Sequence, residues 1–194
     1  MKILIACEFS GIVREAFKAK GHNVWSCDLL PTEIPGQHYQ GYLEDFIGSG
    51  TEWDMIIGFP PCTDLAVSGA HRFKEKIADG RQGYAMAFFM MIANRKCPKI
   101  AIENPVGIMS TKWRKPNQII QPFWFGHPES KKTCLWLKGL PKLNATNILQ
   151  LPGRGYWDNQ TPSGQNKLGP SPDRAKNRSR TYQGIADAMA EQWG

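Results

Sequence analysis

The segment Ile56-Ile57-Gly58-Phe59-Pro60-Pro61-Cys62 joins a short apolar run to an abrupt stop, and that junction demands a buried sheet. Residues 53–57 (W-D-M-I-I) are mostly apolar and end in two β-branched side chains. This is the pattern of a strand covered on both faces, as in a parallel sheet. Gly58 and the Pro60-Pro61 pair end it, because proline lacks the amide that a central strand must donate. The first reactive side chain past the stop is Cys62. In open α/β sheets, ligands bind just beyond the carboxyl ends of strands, so the thiol stands where a nucleophile would act. A free cysteine is also a small apolar residue suited to a core, and at this point both readings stand.

The flanking sequence supplies the rest of such a sheet. Residues 2–6 read as a first strand. Ser10 offers a helix N-cap, and Gly11 permits close approach of a ligand. Residues 12–20 form an amphipathic helix with Ile12, Val13, Ala16 and Phe17 on its apolar side, closed by Gly21. Residues 22–27 are a second strand ending at Asp28, a carboxylate placed to accept both hydroxyls of a cofactor ribose. The glycine-rich dinucleotide fingerprint is missing. E-F-S-G-I-V, with one glycine, stands in its place and favours a cofactor with an adenosine but no pyrophosphate.

Further along, Asp45 reads either as a partner for an adenine amino group or as part of a solvated acidic loop. Residues 63–82 are polar and basic, broken at Ser68-Gly69 and Asp79-Gly80, and read as a lid or an ordinary connector. Residues 84–93 form an apolar core helix. Residues 99–102 are a strand ended by Glu103-Asn104-Pro105, which points Glu103 at the same crevice as Cys62. Residues 133–137 are a further strand. Residues 137–180 are rich in glycine and proline and lack periodicity, and 181–193 form a terminal helix with Ile185, Ala186, Met189 and Trp193 on one face. The expectation is one α/β domain over residues 1–194, with a mostly parallel sheet and helices on both faces.

Composition narrows the function classes. Of 194 residues, 41% are hydrophobic and 21% charged, and no run approaches the length of a membrane span. Glu8 comes too early for a signal peptide. Five scattered cysteines without a C-x-x-C pair suggest neither a zinc site nor a disulfide framework, and suit a reducing cytoplasm. The net charge of +7 favours a polyanion partner. Local basic clusters stand at Lys112 to Lys115, at Lys131-Lys132 and from Arg174 to Arg180, and the last includes Arg178.

Taken in order, these fragments resemble the DNA cytosine-5 methyltransferases. E-F-S-G-I-V is similar to the family's D-x-F-S-G-x-G, and Trp25-Ser26-Cys27-Asp28 to its ribose-binding strand end. Gly58-Phe59-Pro60-Pro61-Cys62-Thr63 resembles the nucleophile motif G-F-P-C-Q, Asp79-Gly80-Arg81 the D-x-R-G segment, and Ile102-Glu103-Asn104-Pro105 the E-N-V motif. Phe125 to Thr133 resembles Y-G-x-P-Q-x-R-x-R, and Gln183-Gly184 resembles the last motif, Q-x-G-N. Departures are the extra proline, Thr63 for glutamine, and Glu129, Lys131 and Thr133 for glutamine and two arginines. The large target-recognition domain is replaced by residues 137–180 alone.

The resemblance implies a Rossmann-like, S-adenosylmethionine-dependent fold and a covalent mechanism. Cys62 would add to cytosine C6, Glu103 would bind N3 and the amino group, and Lys131 would hold the base O2 or a phosphate, with Lys132 as the alternative. Phe9, Ser10, Gly11, Asp28, Asp45 and Pro60 would hold S-adenosylmethionine. Ser68, His71, Arg72, Arg81, Arg178 and Arg180 would face DNA, whose target base must be flipped out or single-stranded. Two other readings keep part of this picture: the same chemistry on a free pyrimidine nucleotide, and a non-catalytic relative that binds nucleic acid or a partner.

Overall fold

Strand β1 (Lys2–Ala6) alternates its side chains between two apolar layers. Ile3 and Ile5 face one layer and Leu4 the other, with Ala6 on Leu4's side, as the two-residue period of a strand requires. The computed structural model describes every residue except 49, 170 and 172. In it β1 pairs in parallel with β2 (Asn23–Asp28) on one side and β4 (Met55–Gly58) on the other. Strand β3 (His38–Gln40) extends the sheet beyond β2, and β5 (Lys99–Pro105) extends it beyond β4, both in parallel. Strand β7 (Thr133–Lys138) runs antiparallel to β5, and β6 (Gln118–Ile120) antiparallel to β7. The order is β3-β2-β1-β4-β5-β7-β6. It reverses between β1 and β4, so the carboxyl ends of those two strands open a crevice.

Helices α1 (Ile12–Ala19) and α7 (Gln183–Trp193) cover one face, where Val13, Phe17, Ile185, Met189 and Trp193 join Ile3 and Ile5. Helices α2 (Leu43–Ile47), α4 (Arg81–Ala93) and α5 (Met109–Lys112) cover the other, through Leu43, Phe89, Ile92 and Met109. Phe17 and Phe89 are fully buried, each stabilising the fold by about 1.5–3 kcal/mol. No helix among the described residues is long and apolar enough to cross a membrane.

Several elements differ from the sequence expectation. Residues 63–82 are largely helical, with a 3₁₀ turn at Val67–Arg72 followed by α3 (Phe73–Ala78) and the first residues of α4. The sequence hides this because α3 buries a lysine, Lys76, in place of an apolar stripe. Residues 139–173 contain no helix or strand among the described residues, but α6 (Arg174–Ser179) follows them. The three-residue strands β3 and β6 are too short to leave a pattern. Ser10 does not occupy the helix boundary. The N-cap is Gly11 at φ 77°, although the Ser10 hydroxyl still accepts the Ile12 amide at 3.3 Å.

Candidate functional site

On the β1 side of the crevice the chain turns sharply. Cys7 takes a left-handed φ of 59°, a conformation that costs a non-glycine residue of order 1 kcal/mol. A Cβ on Gly11 would lie 2.8 Å from the Arg14 guanidinium and 2.9 Å from Ile34, so only glycine fits without displacement. Ser10 donates to Glu8, whose second oxygen is buried without a hydrogen bond among the described residues. Burial pushes the Glu8 carboxyl up, while Ser10 and the nearby Arg14 charge work against that shift. Phe9 is buried between this turn and α6.

Asp28, at the end of β2, is half-buried and uses one oxygen to accept the Leu30 amide at 2.9 Å. Burial raises its carboxyl. Asp45 is exposed on α2, and the acidic group felt at Cys7 and Cys27 alongside Asp28 is the preceding residue, Glu44. The tight Gly11 turn, buried Phe9 and half-buried Asp28 fit an adenosine-bearing cofactor. With one glycine in the turn, they form no cradle for a pyrophosphate.

On the β4 side, Pro60 is buried, and its carbonyl accepts the side-chain amide of the fully buried Asn104 at 2.9 Å. That bond ties the Pro60-Pro61 step to β5. Cys62 is half-buried, and its carbonyl accepts the amides of Leu65 and Ala66 in a tight turn. Burial raises the Cys62 thiol first, and the Glu103 charge raises it further, while Lys131 and Arg178 pull it down. Glu103 is itself raised by burial and opposed by Lys131. Thr133, beside that carboxylate, donates its hydroxyl hydrogen to the Lys131 carbonyl at 3.1 Å. Glu103, Lys131 and Thr133 line a cavity of about 20 Å³ with Phe59, Ser179 and Tyr182, room for about one water.

The remaining candidates separate into two groups. Arg178 stands with the crevice: its charge reaches Cys62, and its carbonyl accepts Lys131 Nζ at 3.0 Å. Arg180 reaches the same rim but is held by Glu33, with bonds of 2.9 and 2.6 Å. Ser68, His71 and Arg72 are exposed on the 3₁₀ turn that follows the Cys62 loop. Arg72 and Arg81 are engaged by Glu75 and Asp79 in an exposed ion cluster. Lys132 is exposed beside Lys131.

Three contributors were not singled out from sequence. Lys76 is buried, donates to the Thr63 carbonyl and pairs with Asp64 at 3.1 Å, which secures the two residues after Cys62. Glu33 anchors the basic rim. Tyr182 donates to Glu129, one of the positions that departs from the family pattern. None carries a local signal, because each is defined by a partner 12 to 147 residues away.

No protein-family model matches this chain, and no curated protein matches it. Solved structures do. A prophage-encoded Escherichia coli protein assigned as a DNA modification methyltransferase superposes with a TM-score of 0.51 at 16% identity, over 77% of this chain and 52% of its own. The Entamoeba histolytica methyltransferase EhMeth superposes with a TM-score of 0.51 at 12% identity, over 77% of this chain and 57% of its own. The chain thus has the Rossmann-like methyltransferase fold and spans about half the length of these structures.

Proposed function

We propose that this protein methylates C5 of cytosine in DNA through a covalent adduct on Cys62. The observation that carries this reading is the grouping of Cys62, Glu103 and Lys131 where β4 and β5 end, beside the crevice that Asp28 borders. S-adenosylmethionine, held by Phe9, Ser10, Gly11, Asp28 and Glu44 or Asp45, supplies the methyl group. Cytosine C5 is a poor nucleophile until C6 is attacked. Cys62 Sγ adds to C6, and the electron pair moves toward N3, where Glu103 delivers a proton.

The electrostatics support that pairing. Burial favours the protonated form of the Glu103 carboxyl, the form that can donate to N3. In that form Glu103 does not repel the thiolate, whereas its ionised form does, and Lys131 and Arg178 favour the charged sulfur in either case. Lys131 neutralises charge at the base, as a point donor in place of a bidentate arginine. After methyl transfer N3 returns its proton to Glu103, water takes the C5 proton, and the C5–C6 double bond re-forms as Cys62 Sγ leaves as a thiolate.

Fluorine at C5 cannot leave as a proton does. An oligonucleotide containing 5-fluorocytosine, with saturating S-adenosylmethionine, should therefore form a stable adduct that mass spectrometry maps to Cys62. Cys62→Ser should form none, because an alkoxide is far harder to generate than a thiolate. An adduct with 5-fluoro-dCMP but with no oligonucleotide would move the substrate to a free nucleotide. No adduct with either would reject the covalent reading.

A further inference from the structure

Helix α6 spans both halves of the crevice, and cationic groups hold it there. Arg180 donates two hydrogen bonds to Glu33, and Lys176 pairs with the same carboxylate at 3.1 Å. The same two cations lie over the Phe9 ring, 5.3 and 5.8 Å from its centre. At the other end the Arg178 carbonyl accepts Lys131, and Ser179 helps close the small cavity beside Glu103. A space of about 20 Å³ admits a water but no pyrimidine. A base can reach Glu103 only if part of this lining moves, and Ser179 at the end of the helix, with Thr181 and Tyr182 just past it, is part of that lining.

The two sides of the contact differ in rigidity. Residues 29–36, which carry Glu33, are pinned from beneath by the fully buried Arg14. Its guanidinium donates to Ser26 at 2.9 Å, to Thr32 at 3.1 Å and to the Ile34 carbonyl. The Glu33 amide also donates to the Phe9 carbonyl at 2.9 Å. On the α6 side, the Lys176 and Arg180 side chains keep 42% and 35% of their surface exposed. Exposed ion pairs contribute little each and weaken with salt. Glu33 is therefore the fixed post, and α6 is the part that releases.

We propose that α6 is a latch over the crevice, opened by a phosphate-bearing nucleic-acid strand that takes Lys176 and Arg180 from Glu33. This rests on the reading above that the crevice receives a nucleobase. One carboxylate occupies two cations, so the competitor must bring several anionic groups, as a strand does and a nucleoside does not. Opening also frees Lys131 from the Arg178 carbonyl, so the lysine becomes available to the base only once a strand is bound. The latch would thus select polynucleotides over free nucleosides.

The test compares wild-type protein, Glu33→Gln and the double variant Lys176→Gln/Arg180→Gln. Two quantities are read in each: the rate at which a bulky maleimide modifies Cys62, located by mass spectrometry, and the affinity for a fluorescent oligo-dC strand. Both variants should speed Cys62 modification several-fold, since either breaks the latch. Their binding should change in opposite directions. Glu33→Gln should tighten the strand several-fold by removing the competing carboxylate, and the double variant should weaken it by removing phosphate contacts. Deoxycytidine should not displace the strand. Equal modification rates in all three proteins overturn the latch, as does a Glu33→Gln variant that binds the strand no more tightly than wild type. Neither readout involves methyl transfer. Absence of the 5-fluorocytosine adduct alongside the expected results would reject the covalent mechanism and leave the latch standing.

Discussion

Cys62 and Glu103 are both raised by burial, and the Glu103 charge makes ionisation of the thiol harder still. Replacing Glu103 by glutamine removes a charge that raises the thiol, so Cys62 should react with iodoacetamide faster at neutral pH and with a lower apparent pKa. Burial, the largest cause, remains and continues to raise the thiol. Adduct formation with 5-fluorocytosine should be lost in the same variant, because glutamine has no proton to deliver. Retained S-adenosylhomocysteine binding in the variant would separate this outcome from misfolding, which also exposes the thiol and abolishes catalysis. Stability should move as well. A carboxyl raised in the folded state is ionised at a cost that appears as pH rises through its unfolded value, near 4.3, and is complete above the folded one. Glu103→Gln should therefore raise the urea midpoint at pH 8 and leave it unchanged at pH 3.5. On the cofactor side, Asp28→Ala should weaken S-adenosylhomocysteine by about 1.5–3 kcal/mol in calorimetry, the usual range for hydrogen bonds to a charged group.

At the level of elements, the loop that carries Cys62 is held from two directions. Asn104 fixes its start through the Pro60 carbonyl, and Lys76 fixes its continuation through Thr63 and Asp64. Lys76→Met would keep the length and burial of the side chain but leave Asp64 without its cation. The expected loss is about 1–3 kcal/mol in chemical denaturation, in the range for unpairing a polar group that is mostly buried. Recovery of stability in the double variant Lys76→Met/Asp64→Asn would identify the pair as the cause. Such contacts mark the boundary of what the sequence reveals. Strands β1, β2, β4 and β5 were legible because buried strands write apolar runs ending at glycine, proline or a carboxylate. The crevice positions of Asp28, Cys62 and Glu103 follow from those endings. Helix α3 was not legible, because its inner face is a lysine whose partners lie 12 and 13 residues upstream. Helix α6 was read as part of a loop. Six residues with no apolar face carry no helical period, and the anchoring Glu33 lies 147 residues from Arg180. Arg14 belongs with them, an arginine on the inner side of α1 whose burial depends on Ser26 and Thr32 in other elements.

For the molecule as a whole, charge should decide the substrate. The net charge is +7, and the crevice rim gathers Lys131, Lys132, Lys176, Arg178 and Arg180. The chain spans about half the length of its structural neighbours. Phosphate contacts release condensed counterions, and each single-strand contact adds about −0.7 to the slope of log K against log salt concentration. If three or four rim cations meet phosphates, an oligo-dC strand should show a slope of about −2 to −3. Arg178→Gln should make that slope shallower by about 0.7, weakening every sequence alike, because a phosphate contact reads no base. Arg178 also lowers the Cys62 thiol, so the same variant should shift the alkylation profile of Cys62 to higher pH. A protein built for a free nucleotide would behave otherwise, with weak strand binding, a slope near zero and no response to Arg178→Gln. Fluorescence anisotropy between about 50 and 200 mM salt covers the range in which the two behaviours diverge.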